Sequence, residues 1–527
     1  MRIGIDVGGT NTDAVLMDMA RGEGTGVSVL AEIKTSTTND VTSGVVAALR
    51  GLAETTAFSP DDISAVMIGT THFTNAIVEA RRLAPTAAVR LGLPATKALP
   101  PMVDWPPRLR EAIGDHAYMC HGGHEFDGRQ ISDLRPDEIK RVADEIGALN
   151  VRSVAISSVF SPISADFELA AADIIAGQLP DVHISLSHQI GRIGLLEREN
   201  ATIVNACLRD LAETIVDAFT SALAMVGIHA PLYLSQNDGT LMDVEFTRKY
   251  PVATFASGPT NSMRGAAILS GLADCAVVDI GGTTTDVGML THGFPREAAT
   301  EIDIGGVRSN FRMPDVLSVG IGGGSLVRDE TAGGPTVGPD SVGYELTRHA
   351  LVFGGDTLTA TDIVVAAGHA DIGDGARVTH VDRSLADAAL DRIARDVSEV
   401  VDRMRTSPEP LPVVIVGGGS VLVPDRLPGF DDVRRPEHFA VANAIGAAIA
   451  QVGGEVDRIF AIGEKTRDQV LDQAKSEAVD SAIAAGAQPD GVQIVEVDEV
   501  PIAYLPGNAV RVRVKAVGDL SIGDVAS

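Results

Sequence analysis

One eight-residue pattern occurs twice, half a chain apart, and restricts the fold more than any other feature of this 527-residue sequence. DVGGTNTD at Asp6–Asp13 and DIGGTTTD at Asp279–Asp286 agree at six of eight positions. Each copy follows a β-branched run and precedes another, AVLM or VGML. The expectation is strand, tight turn, strand: a hairpin, unlike the strand-to-helix turn of a dinucleotide site. Gly8, Gly9, Gly281 and Gly282 permit positive φ and leave room for close backbone approach. Thr10, Thr12, Thr283, Thr284 and Thr285 add hydroxyl donors, and the amides of such a turn form an anion-binding concavity.

Asp6 and Asp279 occupy equivalent strand ends beside these turns. Two acids next to a polyphosphate require a divalent cation between them. Magnesium, held mostly through water by one or two carboxylates and phosphate oxygens, is the expected ion, with Asp6 and Asp279 as its ligands. Two ordinary hairpins are the alternative reading.

The charge balance narrows the partners. With 42 basic and 71 acidic residues the chain carries −29, which argues against nucleic acid and against an anionic membrane surface. Small anions stay open, because backbone amides hold phosphate without lysine. No uninterrupted apolar run is long enough for a membrane span. The N-terminus enters a strand with no signal-like segment, and Cys120, Cys207 and Cys275 are odd in number and widely spaced. The expected compartment is the cytoplasm. No GxxxxGK[ST], HExxH or GxSxG is present, so any phosphate site uses another architecture.

β-branched runs alternate with helical patterns throughout, predicting an α/β fold. Strands are expected at Arg2–Val7, Ala14–Met17, Ala65–Ile68, Ser153–Ser157, Ala276–Ile280, Val287–Leu290 and Val413–Val416. Helices are expected at Asp40–Glu54, Pro136–Leu149, Ala165–Gln178, Glu197–Val226, Ser384–Arg405, Ala440–Gln451 and Thr466–Ala485. Leu93–Gly128, with five prolines, reads as an irregular insertion or cleft rim. From Glu455 onward the pattern is a helix, then two or three strands.

At these landmarks the chain resembles the actin, Hsp70 and sugar-kinase ATPase superfamily, and more narrowly the hydantoinase A and 5-oxoprolinase family. The resemblance spans roughly residues 1–450 and rests on ordered motifs: DVGGTNTD, GTTHFTNA, ERENATIVNACL, SQNDGTLM, ASGPTNSMRGA, DIGGTTTD, SVGIGGGS and GGDTLTATD. It implies two related actin-like (ribonuclease H-like) ATPase halves with a nucleotide cleft between them, plus a small C-terminal α/β segment. The expected division is 1–190, 191–454 and 455–527. It implies ATP as cofactor, DVGGTNTD and DIGGTTTD as first and second phosphate loops, and Gly417, Gly418 and Gly419 as the adenosine loop. Ala440–Ala450 resembles the second connecting helix, whose small residues allow tight packing.

The activity implied is magnesium- and ATP-dependent opening of a small cyclic amide or imide, of hydantoin, lactam or 5-oxoproline type, through phosphorylation of the carbonyl oxygen. A small-metabolite kinase and an ATP-driven activating subunit of a two-component hydrolase or carboxylase are the alternatives. Asp13 and Asp286 then support the turns or a water network. A B-type or other partner subunit completes hydrolysis in many relatives, and a homo-oligomer is the default assembly. The chain is shorter than typical A-type members, and GTTHFTNA carries His72 and Phe73 where smaller residues are usual.

Weaker constellations have two readings each. Thr70, Thr71 and Asn75 either cap a helix or contact substrate or the γ-phosphate, with His72 a candidate acid or base. Asn237 and Asp238 form a turn or face the substrate. Gly322 and Gly323 cradle an anion or pack strand on helix. Thr359, Thr361 and Asp362 cap the helix that follows. Cys120, His121 and His124 carry metal-type donors, but CHxxH is no recognised zinc spacing, and loop polarity explains it better.

Overall fold

The computed structural model describes residues 1–9, 11–22, 26–37, 41–298, 301–330, 334–461, 466–502 and 509–521. Thr10 and Asp40 lie outside them. Two sheets form the body. A nine-stranded sheet runs, edge to edge, Gln493–Pro501, Ala509–Gly518, Gln451–Ala461, Thr240–Asp243, Leu232–Ser235, Ala65–Thr70, Arg2–Val7, Asn11–Gly22 and Gly26–Ser36. A second sheet is built on Cys275–Ile280, paired antiparallel with Thr285–Thr291 and parallel with Val413–Val416. The central strands Arg2–Val7, Ala65–Thr70 and Val413–Val416 are buried along their full length. This is why they read as continuous apolar runs: both faces are covered.

Each sheet has its own core. Ile3, Ile5, Val66 and Ile68 anchor one, and Val278, Ile280, Val413 and Ile415 the other. A four-stranded parallel sheet, His116–His121, Thr86–Leu93, Ser153–Ser158 and His183–Leu186, is inserted into the first half. The C-terminal segment carries the helix Arg467–Ala484, and its strands Gln493–Pro501 and Ala509–Gly518 extend the nine-stranded sheet.

Two helices cross between the sheets, Ser257–Ser270 and Ala442–Ile449, and small residues set their separation. A Cβ on Gly265 would lie 1.9 Å from the Ala442 carbonyl oxygen, and one on Gly446 1.8 Å from that of Asn261. A Cβ on Gly4 would meet the Ala444 oxygen at 2.1 Å. The Ala442–Ile449 helix therefore rests directly on the first strand and on its neighbouring helix, as its composition predicts.

Two expectations need correction. The helix expected over Glu197–Val226 divides into Leu195–Cys207 and Arg209–Met225. The Cys207 carbonyl, needed to continue the ladder, instead accepts the Ala84 N–H at 2.8 Å. Leu93–Gly128 is less irregular than its prolines suggest. Pro107 opens a helix to Ile113, a first-turn position that needs no donor, and His116–His121 is a sheet strand.

Candidate active-site cleft

The sequence repeat is a structural repeat. In each copy the first strand pairs antiparallel with the second, placing Asp6 opposite Asp13 and Asp279 opposite Asp286. The turns close by the same bond: Gly8 N–H to Asn11 O at 3.0 Å, and Gly281 N–H to Thr284 O at 2.9 Å. Gly8, Gly9 and Gly281 do not take up positive φ, contrary to expectation. Their use is space: a Cβ on Gly9 would meet only the Asn75 amide, at 4.0 Å. Thr12 and Thr285 are buried, and their hydroxyls bond within the protein. Thr12 Oγ1 shares a bond with Thr37 at 3.2 Å, and Thr285 Oγ1 donates to Ile321 O at 2.7 Å. Thr283 and Thr284 are exposed at the tip of the second turn.

The four acids converge. Asp6 is buried, and its carboxyl is raised to about 7, first by burial and then by the charge of Asp13; Asp279 adds to the rise. Asp279 is raised to about 6, first by burial and further by Asp286 and Asp13. Asp286 is raised too, by burial, against a hydrogen bond from Ser318. Among the described residues, Lys34 is the cation paired with these acids: its Nζ meets Asp13 Oδ1 at 2.7 Å, and its charge lowers Asp279. Lys34 also donates to Ala440 O at 3.3 Å, tying the two halves together. Asp6 Oδ1 is buried without a hydrogen-bond partner.

The crossing helices supply groups that the sequence reading did not single out. Asn443 Nδ2 donates to Asp6 Oδ2 at 3.0 Å and to Asp13 Oδ2 at 2.8 Å. Ser262 Oγ donates to Asp279 Oδ2 at 2.5 Å. A Cβ on Gly69 would lie 2.4 Å from both Asp6 Oδ1 and Asn261 Nδ2, so glycine there lets the two side chains approach. Asn261 and Ser262 lie inside the motif ASGPTNSMRGA, and Asn443 interrupts an otherwise apolar helix. A polar residue in that apolar run was the available signal.

Three glycine turns of the second half interlock around Asp279. Gly417 adopts φ +87°, and a Cβ on it would lie 2.2 Å from Asp279 Oδ1. Gly419 N–H donates to Ile280 O at 2.7 Å, and Gly323 N–H to Gly281 O at 3.1 Å. A Cβ on Gly322 would meet Thr283 N at 2.6 Å. Gly418 faces the first half, where its Cβ would touch Lys34 Cε at 3.5 Å.

Thr70 and Thr71 end the strand beside the first turn, with the Thr71 N–H on Val7 O at 3.3 Å. Ser257, at the start of a crossing helix, bonds both main-chain atoms of Thr70. Asn75 Nδ2 reaches Thr71 Oγ1 at 3.5 Å. His72 Nδ1 shares a bond with Thr70 Oγ1 at 2.6 Å, and burial, helped by Arg82, lowers its pKa to about 4. The ring is therefore neutral throughout the neutral range.

Asn237 and Asp238 lie apart from this cluster. Asn237 Nδ2 donates to Arg312 O at 2.5 Å. Asp238 pairs with Lys515 at 2.9 Å and accepts two bonds from Thr240. Burial pushes Asp238 upward, but these partners prevail and hold it at about 2. Thr359 and Asp362 form a capping box, and Thr361 Oγ1 donates to Gly323 O at 2.8 Å. His121 pairs with Glu138 and His124 packs on Phe167. No group of three or more metal-type donors forms among the described residues. No helix there is long and apolar enough to cross a membrane.

Comparisons with known proteins agree with this architecture. A family model described as the hydantoinase/oxoprolinase N-terminal region matches residues 2–179, and the hydantoinase/oxoprolinase model matches 198–374. Caprolactamase subunit alpha of Pseudomonas jessenii is 27% identical over 422 residues, covering 76% of this chain and 58% of that protein. The acetone carboxylase beta subunit of Xanthobacter autotrophicus is 24% identical over 397 residues, covering 70% and 54%. The chain thus spans little more than half the length of these relatives. The crystal structure of ATP-dependent caprolactamase from Pseudomonas jessenii superposes with a TM-score of 0.78 at 19% identity, over 98% of this chain and 87% of that one. Nucleotide-free acetone carboxylase gives 0.69 at 16%, over 99% and 88%. The fold is the expected α/β one, two halves each built on a copy of the glycine-turn hairpin with a C-terminal α/β segment, and the chain belongs to the hydantoinase/oxoprolinase family.

Proposed function

We propose that this chain uses ATP and magnesium to activate the carbonyl of a small cyclic amide or imide for ring opening. The observation that carries the reading is the pair Asp6 and Asp279, on equivalent turns and both raised in pKa, with Lys34 bound to the neighbouring Asp13. Such a cluster is short of positive charge. Magnesium fits it: Asp6 Oδ1 is buried without a partner, and carboxylate oxygens are the donors the ion takes beside water and phosphate. Asp6 and Asp279 would hold it, and it would supply charge neutralisation for phosphate.

The chain's own groups do the rest. Gly8, Gly9, Thr10, Gly281, Gly282, Thr283 and Thr284 present turn amides and hydroxyls to phosphate, with Gly322 and Gly323 behind them. Gly417, Gly418 and Gly419 receive the adenosine. Asn443 and Ser262 fix the carboxylates that face the ion. Thr70, Thr71 and Asn75 border the acceptor. The amide oxygen attacks the γ-phosphorus and ADP leaves; water adds to the activated carbon, the ring nitrogen takes up a proton and departs as an amine, and a second water displaces phosphate from the acyl phosphate left behind, giving the carboxylate. Phosphoryl transfer of this kind is chiefly positioning and charge neutralisation. The reading includes the division 1–190, 191–454 and 455–527 and a cytoplasmic setting.

One observation favours a second reading, an ATP-driven activating subunit. The relatives are named as subunits, and the chain spans 58% and 54% of their lengths. The test is ADP release with magnesium and a panel of lactams, hydantoins and 5-oxoproline, followed to products. Substrate-stimulated ADP with an opened ring supports the hydrolase, and turnover only after adding a co-purified partner supports the subunit. A stable phosphorylated product identifies a kinase. No stimulation by any member of the panel contradicts the proposal.

A further inference from the structure

Neighbouring residues of the crossing helix Ser257–Ser270 go to the two equivalent acids. Ser262 is spent on Asp279, its hydroxyl donating to Oδ2 at 2.5 Å. Asn261 goes to Asp6. A Cβ on Gly69 would lie 2.4 Å from both Asn261 Nδ2 and Asp6 Oδ1, so the two groups meet over the same glycine. The other crossing helix pins the Asn261 backbone, because a Cβ on Gly446 would stand 1.8 Å from the Asn261 carbonyl oxygen.

Asn261 is fully buried, yet neither Oδ1 nor Nδ2 has a hydrogen-bond partner among the described residues. A carboxamide offers an acceptor at one end and donors at the other, and burying both ends unpaired is costly. The amide lies near enough to Asp6 to favour its charged form a little, but no hydrogen bond closes between them. Asn443, the other carboxamide beside these acids, makes the contrast. Its Nδ2 serves Asp6 Oδ2 and Asp13 Oδ2, and its Oδ1 accepts the Ala444 N–H at 2.9 Å. That leaves Asp6 Oδ1, on the side of Asn261, buried and unpartnered as well. Both polar ends of Asn261 and one oxygen of Asp6 therefore lie unspent together beside the first glycine turn.

We infer that Asn261 is a further positioning residue for the magnesium nucleotide, its unspent carboxamide steadying Asp6 and the water shell of the ion that Asp6 holds. The inference rests on the nucleotide reading above. Magnesium keeps several waters and takes few protein ligands, so the groups around it must accept from those waters and steady the liganding carboxylate. A carboxamide does both, whereas a carboxylate at this place would add charge to an already acidic cluster. An amide unpaired in the unliganded chain and paired in the complex costs stability in the first state and contributes affinity in the second. An amide with a purely structural role has the opposite signature.

Two measurements on the full chain separate the roles. Asn261→Leu and Asn261→Ala remove both polar atoms, the first at similar bulk and the second with less. In urea unfolding without nucleotide or magnesium, at least one of them has a midpoint equal to or above that of the wild type. Calorimetry with a slowly hydrolysed ATP analogue and magnesium then finds that variant weakened about tenfold, the size of one hydrogen bond to a charged partner. Any residual binding without magnesium is the same in variant and wild type. Midpoints below the wild type in both variants, or wild-type affinity for the magnesium complex in either folded variant, overturns the inference and leaves the nucleotide reading standing. A wild-type chain that binds no magnesium nucleotide overturns both.

Discussion

Replacing Asp6 by asparagine should make the unliganded protein more stable, and by an amount that grows with pH. The Asp6 carboxyl stands at about 7 in the folded chain against 3.8 ordinarily, driven first by burial and then by Asp13. Because the folded value is the higher one, stability is greatest below pH 3.8, where both states are protonated. It falls as pH rises through 7, where the folded chain must also give up the proton. At 1.36 kcal/mol per pH unit, the cost is about 2 kcal/mol at pH 5 and about 4 kcal/mol at pH 8. Asparagine carries no such charge, and its oxygen can still accept from Asn443, now 3.0 Å from Asp6 Oδ2. Urea unfolding at both pH values, without nucleotide or magnesium, measures the difference. Asp6→Asn should be the more stable, by about 3 kcal/mol more at pH 8 than at pH 5, while losing every nucleotide-dependent activity. An equal or lower stability, or an advantage that does not grow with pH, refutes the reasoning.

Gly446→Ala should destabilise by about 2 kcal/mol or more, because its Cβ would lie 1.8 Å from the Asn261 carbonyl and must separate the crossing helices; the urea midpoint reads it. Lys34→Gln removes the cation that lowers Asp279, so a carbon NMR titration should find the Asp279 carboxyl raised further, with Lys34→Arg restoring it. Thr359→Ala breaks a buried capping box and should cost about 1 kcal/mol in thermal or urea unfolding.

The repeat DVGGTNTD and DIGGTTTD was legible because identical turns need identical residues, and the register that pairs Asp6 with Asp13 and Asp279 with Asp286 follows from it. The small residues of Ala442–Ile449 were legible for the same reason, since only glycine and alanine permit such approach. Other features depend on contacts between distant segments. Nothing local predicts that Asn443 reaches Asp6 across more than four hundred residues, or that Lys34 crosses to Ala440. The break at Leu208 is likewise set by Ala84, far away in sequence. The partner of Asp238 is equally remote, since Lys515 comes from the far end of the chain.

The central claim is that two equivalent turns hold one magnesium nucleotide between them. Calorimetric titration of the wild-type chain, Asp6→Asn and Asp279→Asn with a slowly hydrolysed ATP analogue, with and without magnesium, addresses it most directly. The account predicts binding that requires magnesium in the wild type and weakens at least about tenfold in each variant, since either carboxylate is one of two protein ligands to the ion. Unchanged affinity in either folded variant, or binding indifferent to magnesium, contradicts it.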